Sequence, residues 1–296
     1  MAENTQSVHV RLINIKSIGD NNMGSYAKTD ISKGTCVLAE APLLTSSTSA
    51  DDDILRSFSS IPETQQMAYL KLCCIPPTVK DWDAAGVLNR QIAAIYNTNV
   101  FHSGEVYNQA SRFNHSCCPN LNHIVRGGKR LFYARRDIRD DEELTISYID
   151  ESFSLEKRKL QLLQWLFDCQ CVACDGSLES IQMEQKRLEI RRVELKTNAY
   201  TDALSNSLSL DPPSDYQMLE LLALHDKKIQ LLNELSIRPW ELSQSYAKAS
   251  KCCVMLCDQE KAVEYKRQQM EVLRANFGEE DDGLKKVSVE FEELRG

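Results

Sequence analysis

Three cysteines close together constrain this chain more than any other feature. Cys169, Cys171 and Cys174 form a C-x-C-x-x-C pattern. The chain has 11 cysteines, an odd number, and Met1–Val10 is polar and unlike a signal peptide. We therefore expect reduced thiols in an intracellular protein, in the nucleus, the cytoplasm or both, rather than a disulfide framework. Thiolates at this spacing predict a zinc site that needs a fourth ligand.

The other cysteines leave a second interpretation open. Reduced cysteines also serve as small apolar core residues, and this alternative applies to the triplet as well. For Cys73-Cys74 and for Cys252-Cys253 with Cys257, we favour core packing over metal binding.

The order of extended and helical patterns predicts an α+β region followed by a helical region. Short strand patterns occur over residues 8–45, including Cys36–Glu40, and over residues 100–148, including Leu144–Tyr148. Gly127-Gly128 predicts a hairpin turn. Helical spacing covers residues 53–95, where Val87, Leu88, Ile92 and Ile95 repeat every three to four residues. It also covers nearly all of the chain after Ser154, which is a predicted helix cap. Breaks are predicted near Asp211-Pro212-Pro213, Arg238-Pro239 and Gly278.

Composition narrows the possible partners. The net charge of −8 argues against direct nucleic-acid binding and is compatible with a basic protein or peptide. No apolar run is long enough for a bilayer span, so no membrane association is expected. We expect a monomer.

Four motifs follow one another along the chain. A predicted turn over Asn22–Ala27 contains Gly24, which lets a backbone approach a ligand closely. Residues 112–120 read RFNHSCCPN, residues 142–148 read EELTISY, and residues 167–174 read FDCQCVAC. In this order they resemble the SET-domain family, and in particular its SMYD-like branch and fungal relatives.

The resemblance implies a fold and an organisation. It implies a SET-domain β-fold with a pseudoknot and a zinc-binding post-SET segment, followed by an all-helical C-terminal domain. The MYND zinc finger of SMYD proteins is absent, since its expected place has neither cysteine nor histidine. The implied segments are 1–50, SET strands with the cofactor turn; 51–98, a helical insert; 99–150, the catalytic core; 151–176, the post-SET segment; and 177–296, helices of tetratricopeptide type.

The resemblance also implies an activity. The chain is expected to be a protein-lysine N-methyltransferase that uses S-adenosylmethionine and acts on a histone or another protein. An alternative is a SET-fold scaffold with weak or no catalysis, which binds partners through its helices. Two departures favour that alternative: Asn22 replaces a family glycine, and Trp165 stands where tyrosine is more usual. Methylation of another nitrogen nucleophile is a third possibility.

Site residues follow from the same resemblance. Tyr148 is the catalytic candidate, because its hydroxyl could orient the amine lone pair toward the methyl group or stabilise the positive sulfur. Phe101 and Trp165 match the walls of the lysine channel. Cys117 would be the fourth zinc ligand, with Cys118 as its rival. The implied cofactor-binding residues are Met23, Gly24, Ser25, Tyr26, Asn99, Asn114, His115, Tyr148 and Phe167.

Overall fold

A computed structural model describes residues 12–19, 22–75, 84–205 and 213–296. Contacts along the chain divide it into two units, neither of which is one continuous segment. The first unit comprises Met1–His115, Asn120–Ile146 and Leu162–Phe167, and the second comprises Ser116–Pro119, Ser147–Gln161 and Asp168–Gly296. The division of the sequence at residues 50, 98, 150 and 176 stays a prediction.

The first unit is built from short strands in small sheets. The strands are β1 Ile13–Gly19, β2 Asn22–Ala27, β3 Cys36–Glu40, β4 Leu44–Thr45, β5 Glu105–Val106, β6 Asn114–His115, β7 Leu121–Arg126, β8 Lys129–Ala134 and β9 Thr145–Ile146. β1 and β2 pair antiparallel, and β3, β8 and β7 form one sheet in that order. β4 pairs with β5, and β6 pairs with β9 in parallel.

The predicted hairpin is confirmed by the pairing of β7 with β8. Arg126 pairs with Lys129 across the turn, and Gly127 and Gly128 have φ angles of 57° and 71°. Two consecutive positive φ angles match the right-handed strand twist, and glycine reaches them without strain.

The predicted turn over Asn22–Ala27 is wrong, since these residues form strand β2. The prediction assigned Gly24 its commonest role, that of a turn residue. A glycine inside a strand instead marks a close approach of other groups, and neighbouring side chains do crowd Gly24. Residues 20–21 and the side chain of Asn22 lie outside the described residues.

Three helices of the first unit carry part of its core. α1 is Asp51–Ser60, α2 is Glu63–Tyr69 and α3 is Ala84–Asn99. On α3, Ile92 and Ile95 are buried, as their spacing predicts, whereas Val87 and Leu88 are 52% and 44% exposed. The apolar spacing therefore marks a packed face only in the second half of α3. The cluster around it includes Leu44, Ile54, Phe58, Tyr69, Tyr96 and Val106.

The second unit is helical. Ser154 precedes the first helix, and the Ser154 hydroxyl accepts from the Lys157 N–H, as expected for a cap. The predicted breaks are confirmed at Arg238-Pro239 and at Gly278, while residues 211–212 lie outside the described residues. The helices are α4 Leu155–Leu162, α5 Leu178–Ser205, α6 Asp215–Leu235, α7 Pro239–Met255, α8 Gln259–Phe277 and α9 Asp282–Arg295.

Helices α5 to α8 contribute to one apolar core. Cys252 and Cys253 are buried in it, which confirms their predicted packing role, whereas Cys257 is exposed. Cys73 is also exposed, so core packing is wrong for these two thiols.

The predicted succession of small strands followed by helices is confirmed. The pseudoknot and the tetratricopeptide-like pairing stay predictions. In the described ranges, no helix has the length and apolar character that crossing a membrane would require.

Candidate cofactor and metal sites

The parallel pairing of β6 with β9 brings two motifs of the first unit together. Asn114 pairs with Thr145 and His115 with Ile146. The approach to β6 is fixed by the buried carboxylate of Glu40, which accepts from the backbone N–H groups of residues 108–110. Burial raises the pKa of Glu40 although these hydrogen bonds oppose it. Glu40 therefore holds the backbone of residues 108–110, which precede β6.

Strand β2 lies against these residues at Gly24. The Asn114 amide donates to Glu143 Oε1 at 2.8 Å and to the Met23 carbonyl at 3.4 Å. A Cβ at Gly24 would lie 3.0 Å from Glu143 Oε1 and from the Tyr26 ring, and 3.2 Å from Asn114 Nδ2. A larger residue here would require these side chains to move, so glycine is the residue that this arrangement accepts without a shift.

The neighbours of Gly24 are held from both sides. The Ser25 hydroxyl donates to the Arg112 carbonyl at 3.1 Å. The Lys16 ammonium lies 4.6 Å from the centroid of the Tyr26 ring and pairs with Asp141. Burial, and then the Glu143 carboxylate, raise the pKa of Tyr26, so its phenol is neutral at ordinary pH. Met23, Gly24, Ser25, Tyr26 and Asn114 therefore form one group.

Phe167 offers an accessible aromatic ring next to that group. Its centroid lies 6.0 Å from that of His115, with the rings inclined at 50°. Phe167 is 36% exposed, and Leu166 before it adopts a left-handed backbone with φ of 56°. A partly exposed ring beside a partly buried histidine can stack on a flat heterocycle.

A second group forms at the end of α3. The Asn99 amide donates to the carbonyls of Ile95 and Cys73, both at 2.7 Å. Trp165 Nε1 donates to the Thr98 carbonyl at 3.1 Å. The structure therefore brings Trp165 beside the residue that precedes Asn99, although they are far apart in sequence.

Phe101 lies in an aromatic cluster with a buried arginine. Its ring centroid is 5.3 Å from that of Tyr107 and 5.5 Å from that of His123. The Arg130 guanidinium lies 4.5 Å from the Phe101 centroid and pairs with Glu105 at 3.0 Å. One face of Phe101 is thus covered by a cation.

The same arginine acts on His123. Arg130 Nη1 lies 3.0 Å from His123 Nδ1. Burial, followed by the charge of Arg130, lowers the pKa of His123 to about 3, so this ring is neutral at ordinary pH.

In the second unit, four cysteine sulfurs gather around one point. The Sγ atoms of Cys117, Cys169, Cys171 and Cys174 all lie within 4.8 Å of one another. The Cys117 and Cys174 sulfurs are 3.5 Å apart. Zinc bonded to four thiolates at about 2.3 Å requires sulfurs roughly 3.8 Å apart, so this set of ligands fits a closed tetrahedral site.

Further contacts within the cluster favour a thiolate. The Cys117 backbone N–H donates to Cys171 Sγ at 3.4 Å. Hydrogen bonds from the side chains of Cys117, Cys169 and Cys174, in that order, hold the pKa of Cys171 well below its ordinary value.

Cys118 points away from this cluster. Its Sγ accepts from Arg187 Nη2 at 3.3 Å, and the Ser116 hydroxyl accepts from its backbone N–H. Burial raises the pKa of the Cys118 thiol even beside Arg187. Cys117 and Cys118 are adjacent in sequence, but only Cys117 contributes its sulfur to the cluster.

Tyr148 belongs to the second unit and is half-buried. The predicted strand over residues 144–148 is too long, because β9 ends at Ile146. The Ser147 hydroxyl donates to the Ile149 carbonyl at 2.8 Å, which turns the chain out of the extended conformation. The catalytic role of Tyr148 stays a prediction.

Comparison with known proteins assigns the Gly24 segment and the RFNHSCCPN and EELTISY motifs to one family. The SET domain family matches residues 22–149. This chain carries a SET domain. The match includes Gly24, the strand pair β6–β9 and Tyr148, so the SET domain spans all but one of the motifs on which the resemblance rests.

Relatives of this SET domain are lysine methyltransferases by name. The chain is 43% identical over 102 residues to histone-lysine N-methyltransferase SMYD3 of Homo sapiens, which covers 34% of this chain and 24% of that protein. It is 30% identical over 188 residues to histone-lysine N-methyltransferase set5 of Schizosaccharomyces pombe, covering 62% and 55%.

A third relative is a budding-yeast protein. The chain is 37% identical over 78 residues to the potential protein lysine methyltransferase SET6 of Saccharomyces cerevisiae, covering 26% of this chain and 21% of that protein. The chain thus spans about half or less of the length of these curated relatives.

Several residues around the two sites carry no signal in the sequence. Arg158 and Arg187 lie beside the cysteines, and Arg130 lies beside Phe101. Arginines on helices and strands follow no pattern that separates a buried one from a solvated one. Glu143 lies in the EELTISY motif, and this position is the signal in the sequence that could have pointed to it.

Proposed function

We propose that this chain is a protein-lysine N-methyltransferase that uses S-adenosylmethionine. The parallel pairing of β6 with β9 beside Gly24 is the observation that carries the proposal, because it joins the NHSC and ELTISY motifs within the SET domain. The names of the relatives support the same reaction class. A protein or peptide that bears a lysine is then the substrate, in the nucleus or the cytoplasm.

Residues of the first unit would hold the cofactor. S-adenosylmethionine, when bound, supplies an electrophilic methyl group on a sulfonium. Phe167 would stack on its adenine, and the backbone of Met23–Tyr26, with Asn114 and His115, would bind its polar groups. Because both amide protons of Asn99 are donated to carbonyls, its Oδ1 remains able to accept from the ammonium group.

Tyr148 would act on the reacting groups. Its hydroxyl would accept a hydrogen bond from the lysine amine and keep the lone pair directed at the methyl carbon, or it would stabilise the positive sulfur. The amine must reach the site unprotonated and without water.

Phe101 and Trp165 would form the apolar walls of the channel. The Trp165 indole N–H is already bonded to the Thr98 carbonyl, so the ring presents only its apolar surface. The Arg130 cation on Phe101 disfavours a second positive charge on that ring, which favours a neutral amine.

Zinc would hold the second unit's cysteines together. We propose Cys117, Cys169, Cys171 and Cys174 as the ligands, a set whose donors and spacing fit a structural site. A closed tetrathiolate has no open position, so the metal would stabilise the fold and take no part in methyl transfer.

The test starts with S-adenosylmethionine binding, measured by titration calorimetry on zinc-loaded protein. Saturable binding followed by methylation of lysine in a peptide library, read by mass spectrometry, would support the proposal. Binding without transfer to any lysine, with transfer to another nitrogen, would redirect the substrate class. No binding by folded, zinc-loaded protein would favour the non-catalytic scaffold.

A further inference from the structure

A fully buried arginine contacts the loop that carries Cys117, one of the four clustered cysteines. Arg187, on α5, is only 1% exposed. Its Nε donates to the Glu151 carbonyl at 3.0 Å, and its Nη2 donates to the Cys117 carbonyl at 2.9 Å and to Cys118 Sγ at 3.3 Å. Nη1 is buried and has no hydrogen-bond partner among the described residues.

Arg187 takes part in none of the ion pairs formed by the described part of the chain. Its hydrogen bond to Glu151 goes to the backbone carbonyl of that residue. A buried guanidinium without a counter-charge is strongly destabilising. A negative group close to Cys117 and Cys118 would therefore stabilise this buried charge.

Arg158, the other buried arginine near the cysteines, differs from Arg187 because it forms an ion pair. It is also fully buried, and its Nη2 lies 3.8 Å from Cys174 Sγ and 3.1 Å from the Ala173 carbonyl. Its charge is already balanced by Glu184 at 3.0 Å. Of these two arginines, only Arg158 forms an ion pair with a carboxylate in the described part of the chain.

A zinc ion held by four thiolates is a dianionic group, so an occupied site beside Cys117 would supply such a negative charge. We propose that Arg187 is the counter-charge and positioning residue of the zinc site, so that zinc binding and packing of α5 stabilise each other. The proposal rests on the zinc occupancy proposed above. It assigns the helices after residue 177 a part in holding the metal site.

A second consequence concerns the chain after Tyr148. Arg187 donates to the carbonyls of both Cys117 and Glu151, so one side chain holds the last residue of the NHSC motif and the segment that follows the ELTISY motif. Glu151 is held again by the Arg238 backbone N–H, which donates to its Oε2 at 3.0 Å.

The test measures zinc affinity in the full chain by competition with a chromogenic chelator. Arg187→Met should weaken zinc binding about ten- to a hundredfold, the usual effect of losing an outer-shell partner. Arg192→Met is the matched control. Arg192 lies on the same helix, is solvent-exposed and pairs with Glu189, and its loss should leave zinc affinity unchanged.

If Arg187 has only a packing role, stability and zinc affinity should respond to its replacement in a different way. If Arg187 served packing alone, Arg187→Met would destabilise zinc-loaded and zinc-free protein equally, and zinc affinity would not change. Linkage requires instead that chelation lower the melting temperature less in the variant than in the wild type. Equal melting shifts with unchanged affinity overturn the proposal.

Arg187→Lys covers the case in which Arg187→Met does not fold. Lysine keeps the charge but cannot bond three acceptors in a fork, so an intermediate loss of zinc affinity is expected. Unchanged affinity in Arg187→Lys, with Arg187→Met unfolded, overturns the proposal. If the wild-type chain binds no zinc, the proposed zinc site is wrong. If the wild type binds zinc and Arg187→Met binds it equally tightly, only the proposed role of Arg187 is wrong.

Discussion

The Asn114 amide donates to the Glu143 carboxylate at 2.8 Å directly beside the bare Cα of Gly24. This hydrogen bond links β6 to the residue that begins the approach to β9. It also explains why a strand interior contains glycine, a residue that weakens strands elsewhere.

Gly24→Ala is therefore expected to damage both stability and cofactor binding. The new Cβ would be 3.0 Å from Glu143 Oε1 and 3.2 Å from Asn114 Nδ2, so those side chains must move. Overpacking of this kind costs about 1–3 kcal/mol of unfolding free energy. We also expect S-adenosylmethionine affinity to fall roughly tenfold or more, equal to at least about 1.4 kcal/mol, measured by calorimetry.

Gly127→Asn is the control for that substitution. Gly127 has a φ of 57°, and no atom lies within 4 Å of the place that a Cβ would occupy there. Asparagine followed by glycine also suits this hairpin turn. The stability and cofactor affinity of Gly127→Asn should match the wild type. Unchanged cofactor affinity in a folded Gly24→Ala variant would remove Gly24 from the binding site.

Cys117 and Cys118 should respond differently to replacement by serine. Cys117→Ser removes one of the four clustered sulfurs, whereas Cys118 faces Arg187. Mass spectrometry of the metal content should find about one zinc per chain in Cys118→Ser and very little in Cys117→Ser. The reverse result would make Cys118 the ligand.

Tyr148→Phe should abolish most methyl transfer while the protein remains folded. Loss of one positioned hydroxyl is expected to reduce kcat about a hundredfold or more, with a smaller effect on cofactor affinity. Tyr216→Phe, which alters an exposed tyrosine on α6, serves as the control. A Tyr148→Phe enzyme with full kcat would exclude the hydroxyl from catalysis.

The helical unit should lose stability in mild acid because of His225. This side chain is buried on α6, and burial, with the charges of Lys248 and Lys228, lowers its pKa to about 4. The unfolded chain takes up the proton below about pH 6.5, whereas the folded chain does so only near pH 4. Unfolding free energy should therefore fall by about 3 kcal/mol as pH drops through that window.

Urea unfolding at about pH 7 and about pH 4.5 tests this expectation. His225→Gln should remove most of the difference between the two conditions. The exposed His102 provides the control, since His102→Gln should keep it. An identical pH dependence in His225→Gln would show that other groups control acid stability.

Elements with strong local signals were predictable from the sequence. The Gly127-Gly128 hairpin, the strand Cys36–Glu40 and the breaks at Arg238-Pro239 and Gly278 are all confirmed. Each depends on backbone preferences of a few neighbouring residues. The four-cysteine cluster required the family resemblance as well, because the spacing of the triplet does not identify Cys117 as the fourth member.

Features set by distant contacts were not predictable. The sequence predicts a turn at Gly24 because nothing near it along the chain reveals Glu143 and Asn114. Burial of Arg187 depends on carbonyls some tens of residues away, and no local pattern distinguishes it from the solvated Arg192 on the same helix. Such positions are fixed by tertiary structure alone.

The interleaved path of the chain limits how such a protein can change by recombination. The second unit contains residues 116–119 and 147–161 as well as the helices, so no single crossover point separates the two units. A protein that acquired its helices from another source would lose Arg187, and the carbonyls of Cys117 and Glu151 would lose their hydrogen-bond donor. The helical region and the motif loops are therefore expected to be inherited together, as one block.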